Sequence, residues 1–198
     1  VGLGYFLCLG GFLTPQRKLF YGAGDRSGVI ATARSHQGDS QIIPLNQKGE
    51  LDFPSVEINK NSVLSFQLSN GETGAINRLP NQLPSELLIA VDATASGNRI
   101  PLPENWSSAV FDSRAWEGPA GLALVAIQDA ANWKNPLPHI SAVRRTYGTF
   151  SLPLLIASAV ALENFTPDDQ KIRTLTQRLR EEILQAIPGA LVAGDLAT

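Results

Sequence analysis

Three loops gather the side chains that could do chemistry, and each follows a short apolar run. Ser69-Asn70-Gly71-Glu72-Thr73-Gly74 follows Ser62 to Leu68, Asp92 follows Leu87-Leu88-Ile89-Ala90-Val91, and Asp112 to Gly121 follows Ser107 to Phe111. A continuous apolar run is the mark of a strand buried on both faces in a parallel sheet. In such sheets ligands collect at the carboxyl ends of the strands, so these loops are where chemistry is expected. Read alone, Asp92 is a turn or cap residue, and Asn70-Gly71 is an ordinary turn pair. A fourth stretch, Arg144-Arg145-Thr146-Tyr147-Gly148-Thr149, sets two cations beside a glycine and a threonine. It reads equally as solvated surface charge or as a group facing an anion. Cys8, His36 and His139 lie too far apart to show metal-ligand spacing. The Asp168-Asp169 pair suits the first turn of a helix rather than a catalytic dyad.

The elements that would position these loops can be read from periodicity. Gly2 to Leu13 is apolar nearly throughout and predicts a core helix, stopped by Thr14-Pro15. Lys18 to Tyr21 and Gln41 to Leu45 predict short strands, with a glycine-rich turn at 22–28 and a short helix over Val29 to Arg34 between them. Ser62 to Leu68, Leu87 to Val91, Ser107 to Phe111 and Leu122 to Ile127 predict four more strands. Leu154 to Leu162 predicts a buried helix. A second, amphipathic helix is predicted to start at Thr166 as N-cap and Pro167 as first residue, with Ile172, Leu175, Leu179 and Ile183 as its apolar stripe. Pro188-Gly189 ends it, and Ala190 to Ala193 predicts the start of a strand. Mixed strands and helices of this kind imply an α/β fold with a mostly parallel sheet.

The bulk numbers fit one domain, or one large piece of a bigger one. The chain has 198 residues, is 43% hydrophobic and carries a net charge of −2. No basic block points to nucleic acid. The apolar start, Val1 to Leu13, is too short to span a bilayer and lacks a signal-peptide pattern. With one cysteine there is no internal disulfide, and Cys8 reads as a small buried hydrophobe. The tryptophans Trp106, Trp116 and Trp133 read as packing residues. The chain has no methionine and begins inside an apolar run, so its true N-terminus is expected to lie upstream.

In order and spacing, the loops resemble those of the cysteine desulfurase and class V aminotransferase family of pyridoxal 5′-phosphate (PLP) enzymes. The 69–74 loop resembles the family's Asn-x-Glu-Thr-Gly, Val91-Asp92-Ala93 its Val-Asp-Ala, and Phe111 to Gly121 its Ser-Ala-His-Lys-x-Gly-Gly-Pro-x-Gly loop, with Gly118-Pro119 and Gly121 as anchors. Arg144 to Thr149 resembles the segment that reaches the cofactor phosphate across a dimer interface. The resemblance runs from about Leu3 to Asp195. It implies a three-layer fold type I PLP-transferase large domain with a mostly parallel central sheet, incomplete at both ends. It implies PLP as cofactor, with Asp92, Asn70, Gly148 and Thr149 at cofactor positions. It also implies a cytoplasmic homodimer, an amino-acid substrate and sulfur or amino-group transfer. In the family the aspartate pairs with the pyridine nitrogen, which makes the ring an electron sink. Residues 1–198 would be the partial large domain, with 166–198 leading toward a small C-terminal domain. The family's glycine-threonine phosphate loop would lie upstream, and the catalytic cysteine of a desulfurase downstream.

The departures fall on the cofactor positions. Counting back from Pro119, the Schiff-base lysine stands at Ala115, which cannot form an imine. The histidine before it is Arg114. The phosphate-binding serine is Asp112, whose charge would repel a phosphate. The glutamine after the aspartate is Ala95, and the ring-stacking histidine is Arg26. Lys134, the nearest downstream lysine, could replace the missing one only in a different register. The resemblance therefore implies either a PLP enzyme by ancestry with a degraded site, or a pseudoenzyme kept as a dimeric scaffold.

Overall fold

The computed structural model describes residues 1–137 and 151–193. Six strands form one sheet: β1 (Lys18–Gly22), β2 (Ser40–Ile43), β3 (Ser62–Gln67), β4 (Leu88–Asp92), β5 (Ser108–Asp112) and β6 (Ala123–Ile127). Their spatial order is β2-β1-β3-β4-β5-β6. The first five run parallel and β6 is antiparallel at the edge. β3 and β4 occupy the centre, in a register that sets Gln67 beside Asp92. Every residue of these two strands is buried, as two-sided apolar runs require.

Alternation along the strands divides the core in two. Leu19, Val63, Ala90 and Val110 face the helices α1 (Gly2–Gly10) and α2 (Ser27–Ser35). Tyr5, Cys8, Leu9 and Phe12 reach that face at helical spacing, and Phe12 is fully buried. On the other face lie Phe20, Leu64, Phe66, Ile89, Val91 and Ala109. Irregular segments carrying Phe53, Leu79, Ile100 and Trp106 cover them.

The expected strands and first two helices are present within a residue or two at most ends. Cys8 is buried as read, and Trp116 and Trp133 pack as expected, each also donating its indole N–H to a backbone carbonyl, of Ser158 and Leu7. Three expectations need correction. The helix expected to be buried, α3 (Leu152–Asn164), buries only Ser158, and Ile156 is 62% exposed. Its apolar surface is nearly continuous, so composition alone gives no sign that the described residues leave it uncovered. The next helix, α4 (Asp169–Ala186), is capped by Asp168, whose side chain accepts from the Lys171 amide, and not by Thr166. An aspartate is the stronger cap, and Pro167 falls before the helix. Its stripe of Ile172, Leu175, Leu179 and Ile183 is exposed. No strand forms over 190–193, where no neighbouring strand offers a ladder. Arg144, Arg145, Gly148, Thr149 and His139 lie outside the described residues.

Ile89 lies in the central strand β4 with no exposed surface. Replacing it with alanine removes buried methyls and leaves a cavity that strands on both sides cannot fill. Urea unfolding of Ile89→Ala should show a loss of roughly 2–5 kcal/mol. A loss under about 1 kcal/mol would contradict its central position.

Candidate functional site

The carboxyl ends of β3, β4 and β5 bring the three expected loops to one side of the sheet. Asp92, the last residue of β4, is 4% exposed. Its Oδ1 accepts from the Thr94 amide at 2.9 Å and the Thr94 hydroxyl at 2.7 Å. The Tyr5 phenol, brought in by α1, also lies 3.2 Å from that oxygen and 2.6 Å from the Thr94 hydroxyl. Burial, and then the charge of Asp92, push the Tyr5 phenol far above its usual range, which keeps it a donor. The other oxygen, Oδ2, faces the Arg26 guanidinium, whose Nε lies 3.7 Å away. That is an ion pair too long for a hydrogen bond, and Arg26 Nε is buried without one. Arg26 is the N-cap residue of α2, so the helix start carries it to the strand end.

Next to Arg26 a second acid is buried. Asp25 Oδ2 accepts from the Gly22 amide at 3.0 Å and the Ser65 hydroxyl at 2.9 Å, while Oδ1 has no partner. Burial pushes its carboxyl up to about 7; the two hydrogen bonds oppose the rise and Asp92 adds to it.

Asn70 pins its own loop. Its amide group donates to the Gly24 carbonyl at 3.1 Å and to Gln67 Oε1 at 3.0 Å. Its carbonyl oxygen accepts from the Glu72 and Thr73 amides, both at 2.9 Å. All four of its hydrogen-bonding positions are thus used within the chain. Gly71 follows because a Cβ there would meet Arg26 Nη2 at 2.9 Å.

The third loop forms a short 3-10 turn over Ser113–Trp116, capped by Asp112, which accepts from the Arg114 amide and side chain. Burial opposes ionisation of Asp112, and Arg114 outweighs it, holding the carboxyl below its usual range. Asp112 is therefore paired inside its own loop. Ala115 is buried against Gly97: a Cβ on Gly97 would come within 2.7 Å of the Ala115 Cβ. Arg99 also donates to the Ala115 carbonyl at 2.8 Å.

Among the described residues, Asp92 and Ala115 meet the side chains of Tyr5, Thr94, Arg26 and Arg99. Lys18 begins β1 and bonds Gln41. Lys60 lines a cleft of about 670 Å³ at the amino ends of the strands. Lys134 is tied by its amide to Gly11, at the end of α1 remote from Tyr5. Its backbone thus lies near the amino ends of the strands, opposite Asp92. Lys48 stands in an exposed turn, and Lys171 is exposed on α4. The sequence singled out Asp92, Asn70, Arg26, Asp112 and Ala115, and all five lie at this end. It missed Tyr5 and Thr94. The only signal for Tyr5 was a polar tip within an otherwise apolar helix.

Tested against these residues, PLP does not fit. Both Asp92 oxygens already have partners from the chain, the position expected to stack on the ring holds the cation that meets Asp92, and Ala115 offers no amine.

No protein-family model and no curated protein sequence matches the chain. Its fold is similar to that of several solved structures. One is the cysteine desulfurase CsdA of Escherichia coli, with 14% identity and a TM-score of 0.71 over 95% of this chain and 57% of that one. Another is a NifS-like protein of Rickettsia africae, with 16% identity and a TM-score of 0.72 over 98% and 58%. A third is the sphingosine-1-phosphate lyase of Burkholderia pseudomallei, with 16% identity and a TM-score of 0.69 over 97% and 54%. The chain spans a little over half the length of these proteins. The expected fold, the large domain of the fold type I PLP enzymes, is the fold of this chain. No helix among the described residues is long and apolar enough to cross a membrane.

Between pH 4 and 7 the folded chain holds a proton on Asp25 that the unfolded chain releases near 3.8. The folded state binds more protons there, so this group's stabilisation is lost as pH rises through about 7. Asp25→Asn should remove that loss, gaining on the order of 4 kcal/mol relative to the parent between pH 4 and 8. A stability difference that does not change with pH would contradict the buried, protonated acid.

Proposed function

We propose that this chain descends from cysteine desulfurases or class V aminotransferases and has lost their Schiff-base chemistry, leaving a pseudoenzyme that serves as a dimeric scaffold. The observation that carries this reading is the pairing of Ala115 with Gly97, at the position where the resemblance puts the lysine. The Arg26–Asp92 ion pair supports it further, because the acid that would hold a ring nitrogen already faces a cation of the chain. In the active relatives PLP supplies an electron sink for substrate carbanions; no such step is assigned to this chain.

In the same reading, Asp92, Asn70, Gly148 and Thr149 are inherited cofactor positions. Asp92 and Asn70 now serve the fold, with hydrogen bonds to Thr94, Gly24 and Gln67. Residues 1–198 are the large-domain part, and 166–198 lead toward a small C-terminal domain. The exposed apolar faces of α3 and α4, with Ile156 62% and Leu179 58% exposed, support a homodimer or domain contact.

The test is to incubate the protein with PLP, reduce it with borohydride, and map any modified lysine after dialysis. The reading expects PLP to dialyse away and no single lysine to be labelled stoichiometrically. Stoichiometric labelling at one lysine would overturn it.

A further inference from the structure

A second cleft opens beside the inherited site, between the 69–76 loop, the 95–100 turn and α4. It encloses about 340 Å³, at the small end of ligand sites. Three arginines line it, Arg99, Arg173 and Arg180, against one carboxylate, Asp169.

Two donors in the cleft are buried and unmet. The Ser96 side chain is 4% exposed and its hydroxyl has no hydrogen-bond partner. Arg99 Nε is likewise buried without a hydrogen bond, since Asp169 Oδ1 stands 3.9 Å away. Arg99 is otherwise fixed in place. One terminal nitrogen donates to the Ala115 carbonyl at 2.8 Å, and the guanidinium lies 4.7 Å from the centre of the Phe165 ring. A held guanidinium with a free edge loses little entropy on binding a ligand. An unmet buried donor destabilises the fold, and an anion with several oxygens would satisfy it. Guanidinium forks match both carboxylate and phosphate oxygens.

We propose that this cleft binds a compact dianion, either a phosphate ester or a dicarboxylate. The inference rests on Ser96, Arg99 and Arg173 and holds whether or not the Ala115 reading is right. Titration calorimetry of the full chain with inorganic phosphate and, separately, with succinate tests it. Saturable binding of at least one probe is expected, weakening as salt is added. Arg173→Gln should weaken binding about tenfold and Ser96→Ala about threefold, corresponding to loss of a charge-assisted and a neutral hydrogen bond. Arg173 is exposed and Ser96→Ala removes an unpaired hydroxyl, so neither change should unfold the chain. Tighter binding of phosphate identifies the ester class, and tighter binding of succinate the dicarboxylate class. Absence of saturable binding for both probes, or unchanged binding by both variants, would overturn the proposal.

Discussion

A carboxylate buried at the end of the central strand must be compensated from every side. Taking such a group out of water costs several kcal/mol. Asp92 recovers this from three elements: the Tyr5 phenol on α1, the Thr94 amide and hydroxyl just past β4, and the Arg26 guanidinium at the start of α2. The same contacts fix how α1 and α2 lie on the sheet, because Tyr5 and Arg26 reach one residue from two helices. Asp25 feels the same constraint. Burial, with a smaller push from Asp92, raises its carboxyl to about 7, and its Oδ1 is unpaired.

In the proposed reading, a binding position has become a packing position. An acid that could hold a ligand's cationic nitrogen faces an arginine of its own chain. A loop that could present an amine presents a methyl group packed against Gly97, whose positive φ of 58° brings the two backbones together. The aspartate where a phosphate donor would stand is neutralised by Arg114 two residues on. In the cleft lined by Ser96 and Arg99, two buried donors remain unmet, as Arg26 Nε does beside Asp92.

Much of this was legible in the sequence. Two-sided apolar runs such as Leu88 to Val91 can only be central parallel strands, and the polar residue ending such a run lands at the carboxyl edge. The sequence alone therefore puts Asp92, Asn70 and Ala115 on one side of the sheet. Long-range partners were not legible. Nothing local ties Tyr5 to a residue 87 positions away, and the hydrogen bond becomes visible only when α1 is laid across the sheet. The exposure of α3 was illegible for a related reason. An apolar helix looks the same whether its own chain or another body covers it. At the start of α4, Thr166-Pro167 carries a good start signal, but Asp168 offers a stronger acceptor and takes the Lys171 amide.

The most direct measurement is a double-mutant cycle between Arg26 and Asp92, using Arg26→Ala, Asp92→Asn and the pair in urea unfolding. Arg26 is partly exposed, so its loss alone should cost roughly 1–3 kcal/mol by leaving Asp92 without its cation. With Asp92→Asn already present, the same change should cost far less, a coupling of about 1 kcal/mol or more. Strict additivity would mean that Arg26 does not serve Asp92, and the cation at the end of β4 would lose its role.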